Sequence, residues 1–571
     1  MTLQSPRKWI FATSLFAACQ GDVPHSLSGA RIREDYRSSL AFVRGSQQIV
    51  SPVWRRGSVT LQRVEEPARL PPASRRQMVM VSFPSLLAFN KSYGTLGNKL
   101  ENDSRTIAWY PGSSEESGFA LVAVTSSQEL TDLAGEAHGG SLPCGQIETV
   151  DLLATQFFTA DTPVPPVYAE NVPLATVKTA VAQVSDAKIK TTIQQLQDIG
   201  TRQHNTSSGL TTPSTVKTLF DGAMSGVSTY SSALRDHASS LTSQKSVIAS
   251  ITGAADDATT IVIGAHLDSI NRSDSSAAPG ADDDASGIAT LVEVMRVIQV
   301  QGMKFQRRVE FQAYGAEEIG LVGSAEIAKS YRAAGRKVAG MFQIDMNSYS
   351  VDPAAKTINF ITNDTSTNLS RSAADLMQTY LDSDYLTMTL AAGTSDHKSW
   401  TNNGYLAVFP FEHATNYNHS LHTALDTTAT LNNTGLSARF AKLALAFLAH
   451  EAGLVGVDRE YAAAKAALTL STDLALAILP GPSPGFYTIA ASATTDVKKI
   501  EGCLVTTASD TGCTAERTSF KALSKVGDRA MFAGGDVATG LPLAAGNVYR
   551  IFGYNETDAV IAQRTVSFAA K

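Results

Sequence analysis

The amino-acid sequence predicts an α/β protein built on a mainly parallel mixed sheet with helices on both faces. Short apolar runs such as residues 261–265 and 309–314 are typical of buried strands. Longer segments with apolar residues at helical spacing alternate with these runs, and this order favours strand–helix–strand units around a parallel sheet. Residues of metal-ligand type directly follow several of the strands, which is where sites lie in open sheets of this kind.

The predicted elements of this domain run from residue 261 to residue 452. Residues 286–300 carry apolar positions at helical spacing behind a start rich in Asp and Ser, which favours a capped helix. Residues 322–334 form a second predicted helix, which ends before Gly335. The other elements are mostly apolar runs: strands 261–265, 309–314, 341–344, 358–362 and 407–411, and a closing helix 436–452.

Length and composition exclude several classes of protein. The chain has 571 residues, which is enough for two or three domains. Its formal net charge of −6 gives no indication of nucleic-acid binding, and no internal apolar run is long enough to span a membrane. We expect a monomer that does not bind nucleic acid.

Residues 1–19 have the pattern of an export signal. Arg7 and Lys8 precede the apolar run 9–18, and small residues stand directly before Cys19, as they do in bacterial lipoprotein signals. Phe16 lies where such signals usually carry an aliphatic residue, so a lipid anchor at Cys19 and full secretion both stay open. The alternative is a buried N-terminal segment. We expect an exported protein, either secreted or lipid-anchored in the bacterial envelope.

Prolines and changes of pattern divide the remaining chain into three regions. Residues 20–165 are predicted as an N-terminal pro-region or accessory domain that ends in a proline-rich linker. One hypothesis is that this region is a propeptide that shields the site, and its arginine pairs are then processing sites rather than ordinary surface. Residues 170–455 form the α/β domain. Residues 480–571 begin with a second proline-rich linker, and their short alternating runs predict a small C-terminal β-sandwich.

The cysteines allow one disulfide in an exported protein. Cys503 and Cys513 flank a turn-rich stretch, so a bridge between them would close a hairpin. Cys144 would then be left outside the bridge. The alternative is that all three are ordinary buried thiols.

Five stretches of the α/β domain place metal-ligand residue types at strand ends or in loops. They supply two histidines and several carboxylates, namely His266, Asp268, residues 282–284, Glu317, Glu318, Asp345 and His422. Taken singly, each has an ordinary alternative, such as a helix cap for residues 282–284. Taken together they favour two zinc ions, because zinc binds His and carboxylate, and paired ions need a bridging carboxylate. Asp268 stands two positions beyond His266 and can accept the second ring N–H of that histidine.

These stretches resemble the motifs of bacterial leucyl aminopeptidases of the co-catalytic zinc exopeptidase family. The matching motifs occur in order within residues 170–455, at 265–269, 279–287, 316–321, 345–346, 395–397 and 422–423. The resemblance implies two zinc ions, with Asp283 as the bridge and Glu317 as the general base. It also implies a cis peptide bond between Asp283 and Asp284. The metal ligands implied in this way are His266 and Asp345 for one ion, Glu318 and His422 for the other, and Asp283 for both.

The resemblance further implies hydrolysis of the N-terminal peptide bond of substrates with a free α-amine. Zinc would activate a water molecule, and Glu317 would take the proton of that water and pass it to the leaving amine. The first side chain of the substrate would enter a largely apolar pocket that favours Leu-like or aromatic residues. The substrate-binding positions implied are Met346, Ile361, Ser395, Phe409, Phe411 and Tyr417.

One stretch departs from the family, and two alternative functions stay open. Some relatives carry Cys-Gly-Tyr-Ala-Cys before the position of Ser395, whereas residues 390–394 here lack both cysteines and the Tyr that would help the oxyanion. Another zinc exopeptidase or a glutaminyl cyclase of the same fold is the first alternative. A metal-site protein without catalysis is the second, and the presence of Glu317 and of every implied ligand disfavours it.

Overall fold

The protein is described from a computed structural model that divides into two compact units, Met1–Gly456 and Val457–Lys571. The described residues of the first unit are 30–36, 40–44, 52–56, 59–63, 77–83, 95–112, 117–138, 146–152, 166–167, 173–255, 258–381, 383, 385–390 and 393–456. In the second unit they are 457–461 and the strands given below. The predicted export signal, Cys144 and Cys513 lie outside the described residues.

The described part of residues 30–152, here called the N-terminal region, contains two antiparallel sheets and two helices. One sheet has the strand order β1-β6-β7-β5-β8 and the other the order β2-β4-β3. The elements are β1 (Arg31–Ile32), a 3₁₀ turn (Glu34–Tyr36), β2 (Leu40–Arg44), β3 (Pro52–Arg56), β4 (Val59–Arg63), β5 (Gln77–Phe83), α1 (Thr95–Asn102), β6 (Thr106–Tyr110), β7 (Gly118–Val124), α2 (Ser127–His138) and β8 (Gln146–Val150).

The five-stranded sheet of this region is buried on both faces. Side chains alternate along a strand, so Met78 and Met80 of β5 enter one core with Trp54 of the three-stranded sheet. Val79 and Val81 enter a second core, which also contains Ile319 from the α/β domain. The N-terminal region and the α/β domain therefore share apolar packing within one compact unit.

The α/β domain is built on a six-stranded mixed sheet with the order β16-β13-β11-β12-β10-β9. The first four strands run parallel, and β10 and β9 are antiparallel to their neighbours. Its elements are α3 (Ala175–Val181), α4 (Asp186–Gln197), α5 (Ser207–Ala223), β9 (Tyr230–Arg235), β10 (Ser246–Ile251), β11 (Thr260–His266), α6 (Ala285–Gln301), β12 (Arg308–Tyr314), α7 (Val322–Ala333), β13 (Val338–Gln343), β14 (Ile358–Ile361), α8 (Thr367–Tyr380), β15 (Tyr385–Met388), α9 (His397–Thr401), β16 (Ala407–Val408), β17 (Pro410–Phe411), α10 (Thr434–Leu448) and a π turn (Ala449–Gly453).

Helices cover both faces of this sheet. Met341 of β13 packs in one core with Ile327 of α7 and Trp400 of α9. The next residue, Phe342, faces the other way and contacts Phe447 of α10, with ring centroids 5.1 Å apart. The prediction of a mixed, largely parallel sheet between helices is therefore confirmed.

The predicted strand at 407–411 is in fact two strands in two sheets. β16 closes the edge of the large sheet, whereas β17 is the edge of a three-stranded sheet with the order β15-β14-β17. Pro410 lacks a backbone N–H, which confines it to an edge strand and interrupts the ladder there. The predicted closing helix likewise ends early, at Leu448, and continues as the π turn.

The second unit contains two antiparallel sheets, β18-β19-β23-β22 with β24 paired to β19, and β21-β20-β25-β26. Their packing as a sandwich stays a prediction. Cys503 is disulfide-bonded, but its predicted partner lies outside the described residues. Among the described residues, no helix combines the length and apolar character needed to cross a membrane. The strands are β18 (Leu474–Pro480), β19 (Phe486–Thr494), β20 (Lys499–Val505), β21 (Thr518–Ser519), β22 (Lys521–Ala522), β23 (Arg529–Gly534), β24 (Leu541–Pro542), β25 (Val548–Tyr554) and β26 (Val560–Ser567).

A buried ion pair between the N-terminal region and the α/β domain gives a test of the packing between these two parts of the first unit. Lys398 Nζ lies 2.7 Å from Glu148 Oε1, and their side chains are 0 % and 4 % exposed. We expect Lys398→Met to lower the free energy of unfolding by about 3–5 kcal/mol, because it leaves Glu148 buried without its cation. In urea unfolding followed by tryptophan fluorescence, Lys398→Met/Glu148→Gln should recover part of the loss. Lys329→Met, which removes an exposed pair with Asp151, should cost about 1 kcal/mol or less. Equal losses for the two single variants would contradict this packing.

Candidate metal centre

Three parallel strands carry predicted site residues to one edge of the large sheet. His266 is the last residue of β11, Glu317 and Glu318 follow β12, and Asp345 follows β13. Because β12, β11 and β13 are parallel neighbours, their carboxyl ends meet at this edge. The fold therefore brings together residues that lie up to about eighty positions apart in the chain.

Residues 282–284 contain both the predicted cap and the predicted bridge, on different side chains. Asp284 is the N-cap of α6, and its Oδ1 accepts from Gly287 N at 2.8 Å. Asp283 instead points into the metal centre, and the peptide bond between the two residues is cis, as the resemblance implies. One loop can thus supply both the helix cap and the candidate metal bridge, because different side chains carry the two roles.

The Asp283 carboxylate stands between two sets of ligand-type side chains. Its Oδ1 lies 3.0 Å from His266 Nε2, which is 3.7 Å from Asp345 Oδ1. Its Oδ2 lies 2.9 Å from His422 Nε2, which is 3.1 Å from Glu318 Oε2. Each set therefore joins one histidine, one carboxylate and one oxygen of Asp283, a donor set that zinc accepts.

Burial makes this cluster of carboxylates electrostatically unfavourable without cations. All five side chains of the two sets are at least nine-tenths buried. Burial, reinforced by Asp283, raises the pKa of the Glu318 carboxyl to about 7. Burial opposes protonation of His266, but the surrounding carboxylates, Glu317 first, still raise its pKa well above the usual value. The pocket thus offers converging negative charge that divalent cations would neutralise.

Asp268 holds the loop that follows β12 as well as facing His266. Its Oδ1 lies 3.5 Å from His266 Nδ1. The same carboxylate accepts the backbone N–H of Glu317 at 3.0 Å and that of Glu318 at 3.2 Å. The sequence indicated only the contact with the histidine ring, because the contact with the loop depends on the β11–β12 pairing.

Two further buried side chains support the loop that carries Asp283, and the sequence did not indicate either. Arg202 donates to the carbonyls of Leu267, Pro279 and Gly280 at 3.0, 2.6 and 2.8 Å. Asp426 accepts the backbone N–H groups of residues 282 and 283, both at 3.0 Å. Both lie far from the loop in sequence, so no local pattern could reveal these contacts.

Left-handed backbone conformations cluster in the loops of the metal centre. Among the described residues, five residues other than Gly have positive φ, and three of them, Ala316, Met346 and His422, lie at or within two positions of a candidate metal ligand. Such conformations cost free energy in residues with a Cβ, and they persist where the surrounding structure enforces them. Their position here indicates that the packed loops, rather than local preference, set the directions of the ligands.

A partly open pocket lies beside the two ligand sets. Four of the predicted substrate-binding residues line it: Met346, Phe409, Phe411 and Tyr417. Two predicted residues do not. Ile361 is buried behind the wall in the same apolar cluster, and Ser395 is fully buried at the turn before α9, where its carbonyl accepts from Lys398 N. Gly393 and Thr394 line the pocket in place of Ser395.

The N-terminal region also reaches this pocket, through two residues that the sequence did not indicate. His138, at the end of α2, and Ile147, on β8, both line it. The contact is compatible with the hypothesis that residues 20–165 shield the site, but a histidine at a helix end carries no ligand pattern of its own.

With this geometry established, comparison with known proteins identifies the segment that carries it. Residues 246–448 match peptidase family M28. Leucine aminopeptidase 1 of Leptosphaeria maculans is 38% identical over 194 residues, which cover 32% of this chain and 50% of that protein. A probable leucine aminopeptidase of Arthroderma otae is 28% identical over 243 residues, covering 42% of this chain and 65% of that protein. The chain thus spans about half to two thirds of the length of these curated relatives.

Solved structures give a likeness that extends beyond the matched segment. LapB from Legionella pneumophila has a TM-score of 0.52 and 25% identity, and the likeness covers 65% of this chain and 98% of LapB. LapA aminopeptidase from the same organism has a TM-score of 0.51 and 24% identity, with 66% and 98% covered, which supports the fold alone. The two curated relatives are fungal, so the comparisons support the predicted exopeptidase family and not its bacterial group in particular.

The contacts of Asp268 with His266 and with the loop after β12 lead to a test of its role. We expect Asp268→Asn to weaken metal binding or activity by about 10–100-fold, because an amide cannot accept from both loop N–H groups and face His266 as an acceptor. Zinc affinity, measured by competition with a chromogenic chelator, checks this. Asp274→Asn, which changes an exposed aspartate nearby, is the matched control. Equal zinc affinities and activities of the two variants would show that Asp268 does not orient the site.

Proposed function

We propose that the chain is a zinc-dependent aminopeptidase that removes apolar N-terminal residues from peptides. The observation that carries this proposal is the position of the Asp283 carboxylate between two histidine–carboxylate sets. The match to peptidase family M28 and the leucine aminopeptidase names of similar proteins support it independently.

We assign the five ligands as two overlapping sets. His266, Asp345 and Asp283 would hold one zinc ion, and Glu318, His422 and Asp283 the other. The distances of 2.9 and 3.0 Å from the two Asp283 oxygens to the two histidines favour two ions over the single ion of a cyclase. Zinc, when bound, polarises a peptide carbonyl and lowers the pKa of a water molecule.

Glu317 is the proposed general base. It lines the pocket beside the ligands, and its backbone N–H is held by Asp268 at 3.0 Å. Burial raises the pKa of the Glu317 carboxyl well above its usual value, and neighbouring cations would lower it toward the range in which a carboxylate accepts and returns a proton. Glu317 would take the proton of the attacking water and deliver it to the leaving amine.

The pocket accounts for the proposed preference for apolar first residues. Its wall contains Met346, Phe409, Phe411 and Leu421, which offer apolar and aromatic surface to a Leu-like or aromatic side chain. The converging carboxylates next to this wall favour the free α-amine of a peptide N-terminus. A substrate bound by both contacts would place its first peptide bond at the metals and Glu317.

We also propose that the protein is exported and acts as a monomer on peptides outside the cytoplasm. The basic and apolar residues 1–19 support export, with either full secretion or a lipid anchor at Cys19 as the outcome. N-terminal sequencing and mass measurement of the exported protein distinguish these outcomes.

The role of Glu317 is tested by replacing only its ionisable group. We expect Glu317→Gln to lower kcat for leucine amide by about 10²–10⁴-fold, because the amide cannot accept the proton of water. The zinc content of the variant, measured by elemental analysis, should equal that of the wild type. Glu326→Gln, which changes a glutamate of α7 outside the pocket, should keep its activity. Full activity of Glu317→Gln with zinc bound would contradict the assignment.

A further inference from the structure

One histidine of the N-terminal region lies in contact with the metal centre. His138 is 6 % exposed, and its Nε2 lies 3.0 Å from the carbonyl oxygen of Glu318 and 3.9 Å from Glu318 Oε2. Its ring packs edge-on against His422, with centroids 4.2 Å apart. The residue thus contacts Glu318 and His422, two side chains of one ligand set.

His138, Glu318 and His422 together have the composition and spacing of a metal-ligand set. One ligand atom from each lies within 4.8 Å of the other two. Ligand atoms on a tetrahedral zinc ion, with bonds of about 2.0–2.1 Å, lie roughly 3.3 Å apart. The His422–Glu318 distance of 3.1 Å fits this geometry, and the distance from His138 Nε2 to Glu318 Oε2 is 3.9 Å. Coordination through Nε2 therefore requires the His138 ring to move toward Glu318 Oε2 and to give up its hydrogen bond to the Glu318 carbonyl.

Contacts on both sides of His138 hold it at this position. Arg272 Nη1 donates to the His138 carbonyl at 3.0 Å, and Arg272 N donates to the His422 carbonyl at 3.3 Å. Thr149 N, on β8 of the N-terminal region, donates at 3.0 Å to the carbonyl of Gly320, in the loop that carries Glu318. The histidine is therefore fixed to the two segments that supply the ligands.

We propose that His138 is a fourth protein ligand of the zinc ion held by Asp283, Glu318 and His422. This inference rests on the proposed function, since it concerns the same metal centre. A catalytic zinc ion keeps one position open for water or substrate, whereas four protein ligands make a closed, structural type of site. The N-terminal region would thus hold the enzyme in a low-activity state with tightly bound metal, and withdrawal of His138 would open the position.

The hydrogen bond from His138 to the Glu318 carbonyl points to an alternative role, in which the histidine only positions Glu318. A matched variant distinguishes this role from metal coordination. If His138 only positions Glu318 by donating from Nε2, a glutamine whose amide nitrogen replaces Nε2 should preserve that function. A glutamine is a poor zinc ligand, so it should not preserve coordination. His138→Gln and His138→Ala therefore give similar results under the proposal and different results under the competing role.

The test uses the full chain loaded with zinc or with Co²⁺ as a spectroscopic probe. We expect both His138 variants to bind one of the two zinc ions at least about 10²-fold more weakly, with the other ion unaffected. The visible absorption of the Co²⁺-loaded protein should change in both variants, and leucine-amide hydrolysis at saturating zinc should rise several-fold. His413→Ala, a half-buried histidine outside the pocket lining, is the control and should match the wild type in all three measurements.

Two outcomes would overturn the inference. Unchanged zinc affinity and an unchanged Co²⁺ spectrum in both variants would show that His138 is not a ligand. Reduced activity in His138→Ala that His138→Gln restores would show a positioning role instead. Failure of the proposed function is distinguishable, because neither the wild type nor the His138 variants would then hydrolyse leucine amide, whatever their zinc affinities and Co²⁺ spectra.

Discussion

The placement of the Asp283 carboxylate between two histidines is the interaction on which the rest of the site depends. One oxygen faces His266 and the other faces His422, so a single side chain joins residues from the sheet edge to a distant loop. Buried carboxylates repel one another, and an uncompensated buried charge costs several kcal/mol. Two cations would neutralise Asp283, Glu318 and Asp345 together, which makes metal binding and the order of these loops one linked equilibrium.

The surrounding structure serves to keep Asp283 in this position. Asp284 caps α6 and also accepts the backbone N–H of His266 at 3.1 Å, which ties the Asp283 loop to β11. Arg202 and Asp426 bind the backbone of the same loop from two further directions. Site residues held on strand ends and braced in this way lose little freedom when a substrate binds, which favours catalysis by positioned groups.

Features that depend on short stretches of sequence were predictable. The strands β11 and β12 and the helices α6 and α7 begin and end within about two residues of their predicted bounds, because apolar runs, caps and Gly335 mark them locally. The meeting of His266, Glu318 and Asp345 followed from parallel strands, whose carboxyl ends share an edge.

Features that depend on distant contacts were not predictable in this way. The packing of β14 and of the turn before α9 decides whether Ile361 and Ser395 face the pocket. Both side chains are instead buried in the protein interior. The contacts of Arg202 and His138 with the metal loops join residues more than sixty positions apart, so no periodicity or spacing records them.

The N-terminal region packs against the loop that carries Glu317 and Glu318. Its second apolar core includes Ile319 and Val322, which follow Glu317 and Glu318 in the chain, so it supports that loop as well as reaching the candidate metal centre. Support of this loop and the proposed coordination by His138 are compatible, because the first uses apolar packing and the second uses one histidine.

The central claim is that Asp283 bridges two metal ions. Anomalous diffraction at the zinc absorption edge, from crystals of the full chain grown with zinc, tests it most directly. We expect two peaks, one on each side of the Asp283 carboxylate and about 3.5–4 Å apart. A single peak, or peaks that Asp283 does not separate, would contradict it.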